Sequence, residues 1–212
     1  MSTRSLRELA CGEMAPRMVA KCLREMHENM SDLVGYEHPY GFVVIQSPNL
    51  GEGIVARIHV WERGSADEDY LVHDHVYDLR SFTVLGTISQ MSYDLSIEPP
   101  FNAREYRASY GGGTSTITST DRLVRLYPRR TISVTAGAGY SMAAGELHTV
   151  TVSPAARAAT LAITQYRREA RSPRVFGPID GVRALTSRRR GVDSGRMRAL
   201  MREVVETTES WS

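Results

Sequence analysis

From Tyr40 to about Tyr166 the chain is a succession of short β-like runs separated by turn residues, with no helical period between them. Apolar and polar residues alternate with period two in the clearest run, Ile54 to Trp61, the pattern of a half-buried strand. Further runs cover Gly41 to Gln46, Tyr70 to His75, Leu79 to Asp94, Tyr106 to Tyr110, Ser115 to Thr118 and Leu123 to Leu126. Thr131 to Ala136, Gly139 to Met142, His148 to Val152 and Ala158 to Tyr166 complete the series. Many short strands at close spacing predict an all-β sandwich or barrel. Gly111 to Gly113 reads as a hairpin or a flexible loop, and no helix and no Lys-Ser/Thr pair follows to make it a phosphate cradle.

The flanks have a different period. Over residues 13 to 34, Met14, Met18, Cys22, Met26, Met30 and Leu33 recur every three or four residues, which predicts a helix with one apolar stripe ending at Gly35. After Pro173 the strand pattern stops, and Met197, Leu200, Met201, Val204 and Val205 mark a final helix from Ser194. Three segments are expected: an N-terminal helical segment (1–36), a β-barrel (37–172) and a C-terminal helical extension (173–212).

At 212 residues with 42% hydrophobic and 24% charged content, the chain suits one soluble domain with extra terminal elements. A net charge of +2 points to no acidic partner. The arginine cluster from Arg183 to Arg202 lacks interleaved aromatics and acids return at Glu203 and Glu206, so it reads as a solvated helix face or dimer contact, not a nucleic-acid surface. No apolar run approaches the roughly 18 residues of a membrane span, and residues 1–5 carry no signal-peptide core. With Cys11 and Cys22 as reduced, packed thiols, a cytoplasmic protein is expected. Edge strands and flanking helices leave room for a homodimer.

Chemistry concentrates in His73-Asp74-His75 and in His148, some seventy residues later. On a strand, residues i and i+2 share a face, so both imidazoles can meet one metal ion, and a histidine from a distant strand can complete the set. Three protein ligands leave positions open, the arrangement of a catalytic metal. His27, His38 and His59 read as ordinary structural histidines. An anionic substrate would need a cation on the barrel lining; Arg57 and Arg80 are candidates, since a guanidinium grips a carboxylate with two parallel bonds. Tyr77, Tyr93, Tyr140 and Tyr166 are candidate hydrogen-bond donors inside the barrel.

The run His73-Asp74-His75, three residues, Leu79, six residues, Gly86 resembles the first signature of the cupin superfamily. Gly137, five residues, Ala143 to His148 resembles the second, with alanine where proline is usual. The resemblance implies a jelly-roll barrel over roughly 40 to 166, with His73, His75 and His148 as metal ligands lining its inside. The family's glutamate ligand falls on Leu79 or Arg80, neither of which ligates a metal. Asp78 is the nearby carboxylate, at a spacing short for that role. The chain therefore resembles the three-histidine, cysteine-dioxygenase-like branch, without its Ser-His-Tyr relay: no histidine follows His148.

The implied function is that of a mononuclear non-haem iron(II) dioxygenase acting on a small, carboxylate-bearing metabolite, with dioxygen as co-substrate. In that scheme Tyr77, Arg80 and Tyr140 serve catalysis, and Arg57, Tyr93 and Tyr166 bind substrate. Nickel, zinc or manganese would point instead to a redox-inert isomerase or lyase, and loss of turnover to a ligand-binding cupin.

Overall fold

The structure is a computed structural model; it describes residues 4–11, 14–63, 69–166 and 171–211. Among these residues three α-helices, α1 (Arg4–Cys11), α2 (Pro16–Glu28) and α3 (Ser194–Thr207), flank thirteen strands. The strands are β1 (Val34–Glu37), β2 (Val43–Gln46), β3 (Ile54–Trp61), β4 (Val72–His73), β5 (Tyr77–Leu85), β6 (Thr87–Ser96) and β7 (Ala103–Gly111). They continue with β8 (Thr114–Thr135), β9 (Gly139–Met142), β10 (Leu147–Thr151), β11 (Ala158–Tyr166), β12 (Arg174–Gly177) and β13 (Ala184–Arg188).

Two antiparallel sheets face each other as a jelly-roll barrel. One has the order β1-β2-β3-β11-β5-β9, the other β13-β8-β6-β10-β4-β12-β7. Strand β8 runs for 22 residues without a break. Its first half pairs with β7 through the hairpin tip at Gly112 and Gly113, and its second half pairs with β6. Gly86 joins β5 to β6 with φ +70°, and a Cβ there would stand 2.2 Å from the carbonyl oxygen of Arg157, so no side chain fits.

The main apolar core lies outside the barrel, between the six-stranded sheet and the helices. Ile54, Ala56, Ile58 and Val60 of β3, Leu161 and Ile163 of β11, and Phe82 and Val84 of β5 pack against Leu6, Leu9, Leu23, Met26, Leu200 and Met201. Each fully buried side chain of this size contributes about 1.5–3 kcal/mol. Alternation therefore sends the other residues of these strands, Arg57, His59, Ser81 and Thr160 among them, to the barrel interior.

The helical flanks differ from expectation in extent. The methionine stripe does form α2, opened by Pro16 at its first turn, but the helix stops at Glu28, where the Asn29 Nδ2 donates to the Glu25 carbonyl (2.7 Å). Residues 34–37 instead extend as β1 and pair with β2, because Val34 and Tyr36 suit a strand and Gly35 admits the close approach of Met197. The expectation that strands end at Pro173 is corrected. β12 pairs with β4 and β7, and β13 with β8, so the barrel draws strands from both expected extensions. The signal was weak: β12 has four residues and β13 is a largely exposed, polar edge strand. Helix α3 begins where expected, with Asp193 as N-cap accepting from the Arg196 N–H (2.9 Å). No helix among the described residues is long and apolar enough to cross a membrane. Cys22 is a free thiol, its pKa pushed up to about 12 by burial. The side chain of Cys11 and most of the polar loop expected at 63–69 lie outside the described residues.

Candidate metal centre

His148 on β10 pairs directly with His73 on β4, bringing the remote histidine against the local pair. One nitrogen from each of His73, His75 and His148 lies within 4.8 Å of the others, and this is the one such cluster of three or more ligating side chains among the described residues. The Nε2 atoms of His75 and His148 stand 3.1 Å apart. Adjacent nitrogen ligands on one ion, each about 2.0–2.1 Å from it, sit roughly 3 Å apart. His73 Nδ1 lies 2.7 Å from the Leu71 carbonyl, which accepts a hydrogen bond from Nδ1–H and leaves the Nε2 lone pair free to ligate. Burial lowers the pKa of all three imidazoles, and for His75 and His148 the neighbouring ring charges lower it further. Three neutral donors converging on one point fit a divalent first-row metal. His148 Nδ1 is buried without a hydrogen-bond partner among the described residues, so its ring is oriented by packing and by the ligand set.

The segment between the histidines is fixed by a buried carboxylate. Asp74 alternates away from the imidazoles and is 1% exposed. Its Oδ1 accepts from the backbone N–H of Arg174 (2.7 Å), and its Oδ2 from Arg174 Nε (2.7 Å) and Arg171 Nη1 (3.1 Å). Arg171 Nη2 donates in turn to the His75 carbonyl (3.1 Å), which also accepts from Gly145 N (2.9 Å). Gly145, at φ +91°, leaves the room Arg171 needs, since a Cβ there would lie 2.9 Å from its Nη2. This carboxylate–diarginine clamp ties His75, the glycine before His148 and β12 into one unit. Sequence reasoning missed it, although a residue between two inward histidines on an extended segment has to face the other way.

The imidazoles open into a cavity of about 750 Å³. Arg57 lines it, with Nη2 donating to the Tyr166 hydroxyl (2.8 Å) and Nε to Gln46 Oε1 (3.0 Å), and its guanidinium 4.8 Å from the Tyr77 ring centre. Among the described residues no carboxylate pairs with it. Burial opposes its charge, yet the phenols of Tyr77, Tyr166 and Tyr36 outweigh that effect and its pKa is raised. Tyr77 stacks on His75 (4.7 Å, 15°), and burial pushes its pKa to about 12. Tyr140, also on the lining, is likewise pushed to about 12 by burial, with Ser81 as its hydrogen-bond partner.

Two sequence candidates lie elsewhere. Arg80 falls between the inward Leu79 and Ser81, so alternation turns it outward, where Nη1 donates to the Leu9 carbonyl of α1 (3.0 Å). Tyr93 packs in a separate cluster with Leu147 and Phe176. Asp78 Oδ1 accepts from Ala144 N–H (2.8 Å), bracing the loop before His148, and Asp78 is not part of the histidine cluster. Conversely, His38 and His59, read as structural, both line the cavity. Of the C-terminal arginines, Arg189 also lines it, over the rings of Tyr36 (4.9 Å) and Tyr110 (4.7 Å), whereas Arg196 pairs with Glu37 (2.7 Å) and Glu62.

No family model and no curated protein matches the chain. Among solved structures it is similar to hydroxypropylphosphonic acid epoxidase from S. wedmorenis, at 11% identity and a TM-score of 0.41 over 64% of this chain. The aligned part spans 56% of that enzyme, a little over half its length. It is also similar to hydroquinone 1,2-dioxygenase PnpCD in complex with Cd2+ and 4-hydroxybenzonitrile, at 14% identity and a TM-score of 0.35, over 69% of this chain and 72% of that one. Likenesses this loose leave the chemistry of the site to be read from its own residues.

Proposed function

We propose that this protein is a mononuclear metalloenzyme of the cupin type, which uses iron(II) and dioxygen to oxidise a small carboxylate-bearing metabolite. One observation carries the reading: three neutral imidazoles converge on a single point at the wall of a cavity large enough for a metabolite. Held by His73, His75 and His148 with positions left open, iron(II) supplies the one-electron chemistry that dioxygen requires. Arg57 binds the substrate carboxylate, because a half-buried guanidinium without an acidic partner takes its counter-charge from the ligand. Tyr77 and Tyr140 keep their protons at neutral pH and donate hydrogen bonds, and on demand a proton, to oxygen atoms of the bound substrate. The Tyr166 hydroxyl accepts a hydrogen bond from the guanidinium and holds it in place.

The test is metal analysis of protein purified without chelators, followed by oxygen uptake with a panel of small carboxylic acids. Iron at one equivalent and substrate-dependent uptake are expected, and His148→Ala should lose both. Full uptake in that variant, or turnover that runs equally well without oxygen, overturns the proposal.

A further inference from the structure

The cavity contains a second polar group that the metal reading does not use. Thr160 on β11 stands in register with His59 on β3, and both line the cavity. Thr160 is 1% exposed, and its hydroxyl has no hydrogen-bond partner among the described residues. The ring nitrogens of His59 have none there either; its neighbours are the rings of Phe42 (5.2 Å) and Trp61 (6.0 Å). Burial, helped by the charge of Arg57, holds the His59 pKa at about 3, so the ring is neutral and offers one donor and one acceptor. A buried hydroxyl without a partner costs stability that valine in the same place would not. Retaining it beside an unpaired imidazole suits a ligand group that completes both.

We propose that His59 and Thr160 form a subsite that hydrogen-bonds an uncharged hydroxyl or carbonyl group of the substrate. Its carboxylate end is the one assigned to Arg57 above, and to that extent the inference rests on that reading. Arg57 and His59 are two residues apart on the same face of β3, about 7 Å along the strand. That is roughly the span of one six-membered ring substituted at opposite ends, and the rings of Phe42 and Trp61 flank the subsite. The substrate class is a flat, ring-bearing hydroxy or oxo acid with one carboxylate. A second carboxylate is disfavoured, because a neutral imidazole and a hydroxyl offset no charge.

Calorimetric titration without oxygen, on protein of measured metal content, tests this with benzoate, 4-hydroxybenzoate and terephthalate. The wild type should bind 4-hydroxybenzoate about tenfold more tightly than benzoate, the effect of one or two hydrogen bonds, and terephthalate most weakly. Thr160→Val should shrink the hydroxyl preference to within about threefold while its melting temperature holds or rises. His59→Phe should remove the preference and keep benzoate binding, and His59→Gln should restore part of it. If His59→Phe fails to fold, Thr160→Val decides alone. A wild type without the preference, a preference that survives both substitutions, or benzoate binding that falls in step with 4-hydroxybenzoate each overturns the subsite. The outcome depends on neither the identity of the metal nor oxygen uptake, so a different native metal leaves the subsite standing, and failure of the subsite leaves the iron reading intact.

Discussion

The two faces of the six-stranded sheet are made from alternate residues of the same strands and carry opposite chemistry. On the outer face, Ile58, Val60, Leu161, Ile163, Phe82 and Val84 are buried beneath three helices. On the inner face, Arg57, His59, Thr160 and Ser81 surround a cavity. Small barrels usually fill their interior with side chains. Here the helical layer outside supplies much of the apolar burial, and that frees the inside to hold charged and hydrogen-bonding groups.

The contrast breaks if damage to one face is felt on the other. Leu161→Ala should have the largest effect, lowering unfolding free energy by about 2–5 kcal/mol in urea titrations. Below its melting temperature it should still bind one metal ion; loss of the metal would mean the faces are coupled. Asp74→Asn attacks the clamp behind the histidines and should weaken metal affinity about 10–100-fold, the range seen when groups that orient ligands are removed. Competition with a chelator reads it, and unchanged affinity would show that the imidazoles need no external brace.

A pH titration sharpens the contrast further. His59 has a folded pKa of about 3 against 6.5 unfolded. Above 6.5 both states are neutral and the folded form pays no penalty. As pH falls from 6.5 toward 3 the unfolded chain takes up a proton that the folded one refuses, so stability drops, by up to about 1.4 kcal/mol per pH unit for each such group. His38, His73, His75 and His148 are shifted in the same direction. Metal-free protein should therefore lose stability steeply on acidification, and His59→Phe should flatten the curve measured by thermal unfolding between pH 7 and 4. The smallest effect belongs to the outer face: Arg80→Met should leave benzoate affinity within twofold of wild type, whereas Arg57→Met should cost at least about tenfold.

What could be read in advance followed period and spacing. The spacing of the His73/His75 pair, Gly86 and the remote His148 can be read in a single sequence, and so can the alternation of β3, although it does not say which face turns inward and left Arg57 a candidate only. The same rule, applied to 79–81, would have turned Arg80 outward. The Asp74 clamp was hidden because its arginines lie about a hundred residues away and only the pairing of β12 with β4 brings them close. His59 and Thr160 were hidden because their meaning depends on missing partners, which become visible only when every neighbour has a position. Helix α1 is eight residues long, too short for a periodic pattern to stand out.

Strand β8 has a consequence for how the molecule comes apart. It is sewn to β7 and β13 along its first half and to β6 along its second. The segment just after the hairpin tip and the segment that pairs with β6, the neighbour of the His148 strand, therefore share one backbone rod. Opening at either end has to travel along that rod or stop within it. Amide exchange of its central residues would tell which, and a common rate for both halves would make the barrel a single cooperative unit instead of two hinged flaps.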